Sequence, residues 1–213
     1  MTLEEFTTKQ ILEDTKKLQF LFKLKEVTRY NTPRDAADDS ESVAEHLYGM
    51  QLLAQYFLPL EDPLSSLDHA RVYELITIHD FDEIITGDYV SYIKTEVHKV
   101  ESEVALKQVL ASVPLHIQEK ITSLAMEYEE QSTPEARFVK AIDKMEPLLQ
   151  LFCEKGRDLC ARNKCTAEIS LKIKSKYIEP FPFIKAFALA VHQGLIDGGY
   201  YWKEPVETHA TLE

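Results

Sequence analysis

Glycine is scarce in this chain, with 6 among 213 residues. Apolar residues also recur at three and four spacing almost throughout. Together these features argue for an all-α protein. Positive charge is in deficit: 24 Lys and Arg stand against 36 Asp and Glu, for a net charge of -12. Such a surface repels phosphate backbones, which argues against duplex nucleic acid or an anionic membrane as a general partner. A small anionic substrate is compatible with it, provided a metal and a few cations reverse the sign locally. Only three cysteines occur, Cys153, Cys160 and Cys165. An odd, late cluster is no disulfide framework, and a Cys-only zinc site would need a fourth ligand and tighter pairs. They read as reduced thiols of a cytoplasmic protein. No apolar run approaches membrane length, and the acidic start Met1–Glu5 has no signal-peptide core.

A length of 213 residues suits one domain, or one with small extensions. A first helix is expected over about Leu3–Val27, with Ile11, Leu18, Leu21 and Phe22 inward. Breakers between Arg29 and Ser40 mark a loop. Ser42 and Glu45 have capping-box spacing for a second helix, closed by Pro59 and Pro63. A third helix is expected over about Ser66–Ile85, capped by Gly87. A fourth spans about Thr95–Ser112, and a fifth runs from His116 to about Glu130. Thr133-Pro134 starts a sixth that reaches about Phe152, with a bend at Pro147. Two more helices follow between Thr166 and Gly198, broken at Pro180 and Pro182.

The segment His79-Asp80-Phe81-Asp82-Glu83-Ile84-Ile85-Thr86-Gly87-Asp88 concentrates polar groups directly after the apolar run 72–78. Buried polar groups are costly unless something binds them. A divalent metal is the simplest partner for His and Asp. His46 falls on the apolar stripe Val43, Met50, Leu53, Phe57 of the second helix. His79 continues the stripe Val72, Leu75, Ile76 of the third. Asp143 stands at the edge of the apolar arc of the sixth, one turn after Val139. Glu83 lies one turn beyond His79 and faces the same direction, while Asp80 is offset by roughly 100°. Each of these readings has a bland counterpart. A lone histidine on an apolar face is more often a satisfied core residue. Glu45 can be a cap alone, Lys140 and Lys144 a solvated face, Tyr30 packing or rim, and Asp82 a solvated acid. The coincidence on three inward stripes favours the metal, since each group would otherwise need its own buried partner.

Three stretches carry a family resemblance: Glu41-Ser42-Val43-Ala44-Glu45-His46; His79-Asp80 with Glu83 and Thr86-Gly87-Asp88; and Ala136-Arg137-Phe138-Val139-Lys140-Ala141-Ile142-Asp143. Over roughly residues 20–152 the chain resembles the HD-domain metal-dependent phosphohydrolases, and within them the 5′-deoxynucleotidase branch. The resemblance implies a single helical HD-domain bundle of about six core helices, with residues 153–213 as a C-terminal helical extension. It implies that His46, His79, Asp80 and Asp143 hold one divalent ion, with oxygen-rich ligation favouring Mn, Co, Fe or Mg. It further implies Glu83 as the catalytic acid or base, and Asp88 and Arg29 as substrate contacts. Where the family has Arg-Trp, this chain has Arg29-Tyr30, and Arg34 is a rival phosphate contact. The implied reaction is hydrolysis of (deoxy)nucleoside 5′-monophosphates, with a homodimer by analogy. Alternatives are another HD nucleotide hydrolase (triphosphate, guanosine polyphosphate or cyclic nucleotide) or a non-catalytic metal-binding scaffold. A two-metal phosphodiesterase would need more histidines than His98 and His116 between the doublet and Asp143. The tail Tyr200-Tyr201-Trp202 serves an interface or packs on the core.

Overall fold

The computed structural model describes residues 7–31 and 41–204. Arg34 lies outside the described residues. The described chain is all-α. Ten helices follow one another: α1 Thr8–Leu21, α2 Val43–Glu61, α3 His69–Ile78, α4 Glu83–Thr86, α5 Glu96–Ala111, α6 Leu115–Glu130, α7 Pro134–Leu151, α8 Gly156–Arg162, α9 Ala167–Ile178 and α10 Pro182–Asp197. Among the described residues the sole β feature is an isolated antiparallel bridge between Thr28 and Ser42.

Local chemistry sets most of the starts. Ser42 caps α2 through a complete capping box with Glu45, which satisfies two amides that a helix start leaves unpaired. Thr133 caps α7, and Pro134 occupies its first turn. Thr95 and Thr166 cap α5 and α9 in the same way. The middle of the bundle is α7, whose Phe138, Val139, Ala141, Ile142 and Met145 are fully buried. It packs against α2, α3, α6, α9 and α10. It runs through Pro147 to Leu151 without ending there.

The structure departs from sequence expectation in three places. The third helix is broken at the His-Asp doublet: α3 ends at Ile78, a turn covers 79–82, and α4 is a separate single turn closed by Gly87 at φ 72°. A left-handed φ of this kind costs glycine nothing. The first helix stops at Leu21 and continues as a 3-10 turn over Phe22–Lys25. Of its expected inner face only Leu21 packs, half-buried, against the core, while Ile11, Leu18 and Phe22 are exposed and Asp14 and Leu24 are buried instead. The short helix α8 went unanticipated. Tyr201 is buried on the core, where its hydroxyl meets His192 Nδ1 at 2.6 Å and Ser170 Oγ at 3.2 Å.

Candidate metal centre

α2, the turn after α3, and α7 each carry one or two polar side chains to a common point beneath the 88–94 segment. Nε2 of His46 lies 3.7 Å from Asp143 Oδ1 and 4.0 Å from Asp80 Oδ2. Nε2 of His79 lies 3.1 Å from Asp80 Oδ2. One ligand atom from each of His46, His79 and Asp143 falls within 4.8 Å of the others. Neighbouring side chains on a helix diverge by roughly 100°. The chain is still helical at His79 (φ -64°, ψ -24°), so the ion must lie between the two members of the doublet.

Each group is held from behind. His79 Nδ1 sits 2.9 Å from the carbonyl of Ile76, and His46 Nδ1 sits 2.8 Å from Glu146 Oε2. These contacts hold each ring by Nδ1 and aim Nε2 inward, the usual way a protein orients metal-binding imidazoles. Asp143 Oδ2 takes Tyr128 Oη at 3.2 Å, Lys140 Nζ at 3.2 Å and Lys144 Nζ at 3.0 Å, and its Oδ1 faces His46. Among the described residues no group hydrogen-bonds to His46 Nε2, His79 Nε2 or Asp80 Oδ2, although all three atoms are buried. Three converging, buried polar atoms without hydrogen-bond partners are costly alone and fit a divalent cation, for which His46 would give up its proton.

The electrostatics separate the carboxylates. Burial favours the neutral acid at Asp143, but Lys144 and Lys140 outweigh it and hold the carboxyl well below its usual range. At Asp80 burial is likewise overcome, by His79 and then His46. Glu83 behaves oppositely: burial, then Asp80 and Asp88, push it well above the carboxylate range. Its Oε2 is buried and has no hydrogen-bond partner among the described residues. At His46 burial and Arg29 favour the neutral ring, yet Glu146 and Asp143 prevail and raise it to about 9.

Arg29 approaches from the other side. Its amide donates to the Glu41 carbonyl across the Thr28–Ser42 bridge. Its guanidinium meets Asp88 at 3.2 Å and lies over the Tyr30 ring, 5.4 Å from the centroid. Asp88 also accepts from the Tyr30 amide at 2.8 Å. Tyr30 takes a left-handed backbone, φ 60° and ψ 26°, a conformation that costs a non-glycine residue roughly 1 kcal/mol. That turn lets the Tyr30 amide and the Arg29 side chain address the same carboxylate. Arg29, Tyr30, Asp80, Glu83, Asp88 and Asp143 all line one pocket.

Sequence reasoning missed several members of this site. Lys140 and Lys144, read as a solvated face, are half-buried and bound to Asp143. Lys174 and Tyr92 reach the pocket from segments to which no role was given. Glu146 follows Asp143 by three residues, the helical spacing that could have signalled it. With Glu41 it gathers around His46 within 4.8 Å, and burial and Glu146 raise Glu41 to about 7. Asp82, read as solvated, is half-buried, and burial and Asp80 raise it to about 6.

The sequence matches the HD domain family over residues 21–185. It is 38% identical over 141 residues to the 5′-deoxynucleotidase hdd1 of Schizosaccharomyces pombe, covering 63% of this chain and 69% of that one. It is 34% identical over 136 residues to the 5′-deoxynucleotidase HDDC2 of Homo sapiens, covering 62% and 64%. The matched segment therefore spans about two thirds of the length of these relatives. Among solved structures, a predicted metal-dependent phosphohydrolase from Magnetospirillum magnetotacticum superposes with a TM-score of 0.76 at 23% identity, over 91% of this chain and 99% of the other. An HD-domain phosphohydrolase from Listeria innocua gives 0.57 at 23% identity, over 86% and 85%.

Proposed function

The chain belongs to the HD domain family, and from that premise we propose that it is a metal-dependent phosphomonoesterase that hydrolyses deoxynucleoside 5′-monophosphates. The observation that carries this reading is the convergence of the unpaired buried atoms His46 Nε2, His79 Nε2 and Asp80 Oδ2 beside Asp143, at the floor of the pocket that Arg29 enters. The names of the relatives supply the substrate class.

In this reading His46, His79, Asp80 and Asp143 hold one divalent ion, of the Mn, Co, Fe or Mg class. When bound, the ion supplies Lewis acidity at the phosphoryl group. Arg29 presents a permanently charged planar fork to the phosphate, and Asp88 fixes its orientation. Burial, Asp80 and Asp88 favour the protonated form of Glu83, which suits it to protonate the departing sugar oxygen. Lys140 and Lys144 flank Asp143 and offset negative charge arriving beside it. Tyr30 stands on the Arg29 side of the pocket, with its hydroxyl 3.2 Å from Gln150 Oε1, and limits the room beside the phosphate.

One HD domain of about residues 20–152 with the C-terminal helices packed upon it, working as a cytoplasmic homodimer, completes the proposal. The odd, late cluster Cys153, Cys160 and Cys165 suits a reducing compartment, and no helix among the described residues is long and apolar enough to cross a membrane. Exposed Tyr48, Leu52 and Tyr56 on α2 offer an apolar stripe for a second copy, which light scattering would detect. The decisive experiment combines elemental analysis of the purified protein with phosphate release from deoxy- and ribonucleoside mono-, di- and triphosphates. Hydrolysis of the deoxy monophosphates by protein carrying near-stoichiometric metal is the expected result. Full activity in Asp80→Ala protein stripped of metal would overturn it.

A further inference from the structure

One buried cation has no place in the chemistry above. Lys174 on α9 is 5% exposed. Its Nζ donates to the carbonyl and hydroxyl oxygens of Ser170, at 3.3 and 3.1 Å, one turn back on the same helix. An ammonium has three donors, and no carboxylate among the described residues lies within ion-pair distance of this one. Burying a charge without a counter-ion is costly. Burial accordingly lowers its pKa to about 8, against an opposing pull from Cys165, so near neutral pH it still carries its proton.

The pocket that begins at Arg29 and Asp80 extends past Lys144 to Lys174. Its two ends differ in chemistry. The metal end gathers Asp80, Glu83, Asp88 and Asp143. The far end is walled by Leu151, Leu159, Ile173, Tyr92, Cys160 and Cys165, with the polar Lys174 and Asn163 among them. A second phosphate there would need several donors on all sides and would meet carbon and sulfur on most of them. A flat heterocycle asks for apolar walls and one or two fixed polar groups.

We propose that this far end is the nucleobase subsite, and that Lys174 makes it prefer bases carrying a carbonyl at the edge position of thymine O4 and guanine O6, where adenine and cytosine carry an amino group. The proposal rests on the deoxynucleotidase reading and adds base selection to it. Lys174 Nζ can only donate. Thymine O4 and guanine O6 accept a hydrogen bond, whereas adenine N6 and cytosine N4 are themselves donors. The keto bases satisfy the spare ammonium proton, and the amino bases set donor against donor in a site shielded from water.

The test measures kcat/KM of the metal-loaded full-length protein for dTMP, dGMP, dAMP and dCMP. Wild-type protein is expected to favour the two keto nucleotides by about tenfold or more, the scale of one buried donor left unpaired. Lys174→Met keeps an apolar side chain of similar length and should bring that ratio close to one. Lys174→Gln, whose amide both donates and accepts, should raise the two amino nucleotides relative to the keto pair. The ratio is taken between substrates on the same preparation, so a partly unfolded variant does not alter it. A wild-type ratio near one, or an unchanged ratio in Lys174→Met, overturns the base-selection proposal and leaves the deoxynucleotidase reading standing. Failure of wild-type protein to hydrolyse any of the four overturns both.

Discussion

Glu146 reaches the metal centre only through His46, and its worth can be separated from that of the ligands. It accepts from Nδ1 at 2.8 Å. A Cβ on Gly49 would stand 3.1 Å from its Oε1, so α2 leaves room for it. Removing such a support typically costs 10- to 100-fold in metal affinity. Glu146→Ala should show a loss of about that size in a chelator-competition titration, and Glu146→Gln a smaller one, since its amide oxygen still accepts. Unaltered affinity in Glu146→Ala would deny it the role. Glu83→Gln should behave differently, retaining the ion while kcat falls by about 10²- to 10⁴-fold, the range of a proton-transfer group; loss of the ion would make Glu83 a ligand. Acid should weaken metal binding. With its pKa raised to about 9, His46 must release a proton to the buffer on binding, so affinity should climb by about tenfold per pH unit up to that point. Calorimetry in buffers of different ionisation enthalpy reads that proton directly. The proposed ligands and Glu83 were legible because His, Asp and Glu on apolar stripes are conspicuous. Lys140 and Lys144 were not, because a lysine beside a stripe looks the same whether it faces water or the wall of another helix.

At the scale of the element, the α2–α3 connection depends on a single carboxylate. Asp62 accepts from the Ser66 amide and hydroxyl and from the Leu67 amide, at 2.8, 2.6 and 2.8 Å. These bonds, the Ser66 hydroxyl first, lower its pKa to about 2, from roughly 3.9 in an unfolded chain. A depressed carboxylate stabilises the fold fully above the unfolded value, and that contribution disappears as pH falls through the folded one. Wild-type protein should therefore resist unfolding better than Asp62→Asn at neutral pH. The gap should close between about pH 4 and 2, as followed by circular dichroism during urea titrations. An equal gap at every pH would assign the effect to shape. Helix starts were readable where Ser42 and Thr133 announced a cap. The break at the doublet was not, since Val72 to Ile85 keeps a helical pattern throughout. Two turns of α8 are too few for a period to emerge. On α1 the apolar spacing of Ile11, Leu18 and Phe22 is real, but sequence cannot say what, if anything, will cover it.

For the whole molecule, the centre joins α2, the post-α3 turn and α7, so an ion bound there favours the folded state over the unfolded one. At about a hundredfold excess over Kd this is worth about 2.7 kcal/mol, or roughly 5–10 °C in Tm for a chain of this size. Stripping the ion with a chelator should lower Tm by that order and abolish phosphate release, and adding a divalent cation should restore both. A chelated protein with unchanged Tm would show that the centre is not occupied in solution. The all-α class was written in spacing and scarce glycine. The way α8 and α9 return to wall the pocket was not, because tertiary placement leaves no local trace.

The bridge between Thr28 and Ser42 sets where Arg29 stands. It clamps the chain on both sides of residues 32–40, through Arg29 N to Glu41 O and Val43 N to Val27 O. The position of Arg29 is thereby decoupled from the length of the intervening stretch. Doubling such a stretch raises closure entropy by only about 0.6 kcal/mol. What the two clamps hold is therefore the approach of Arg29 to Asp88, and it is set by Val27, Arg29, Glu41 and Val43 themselves.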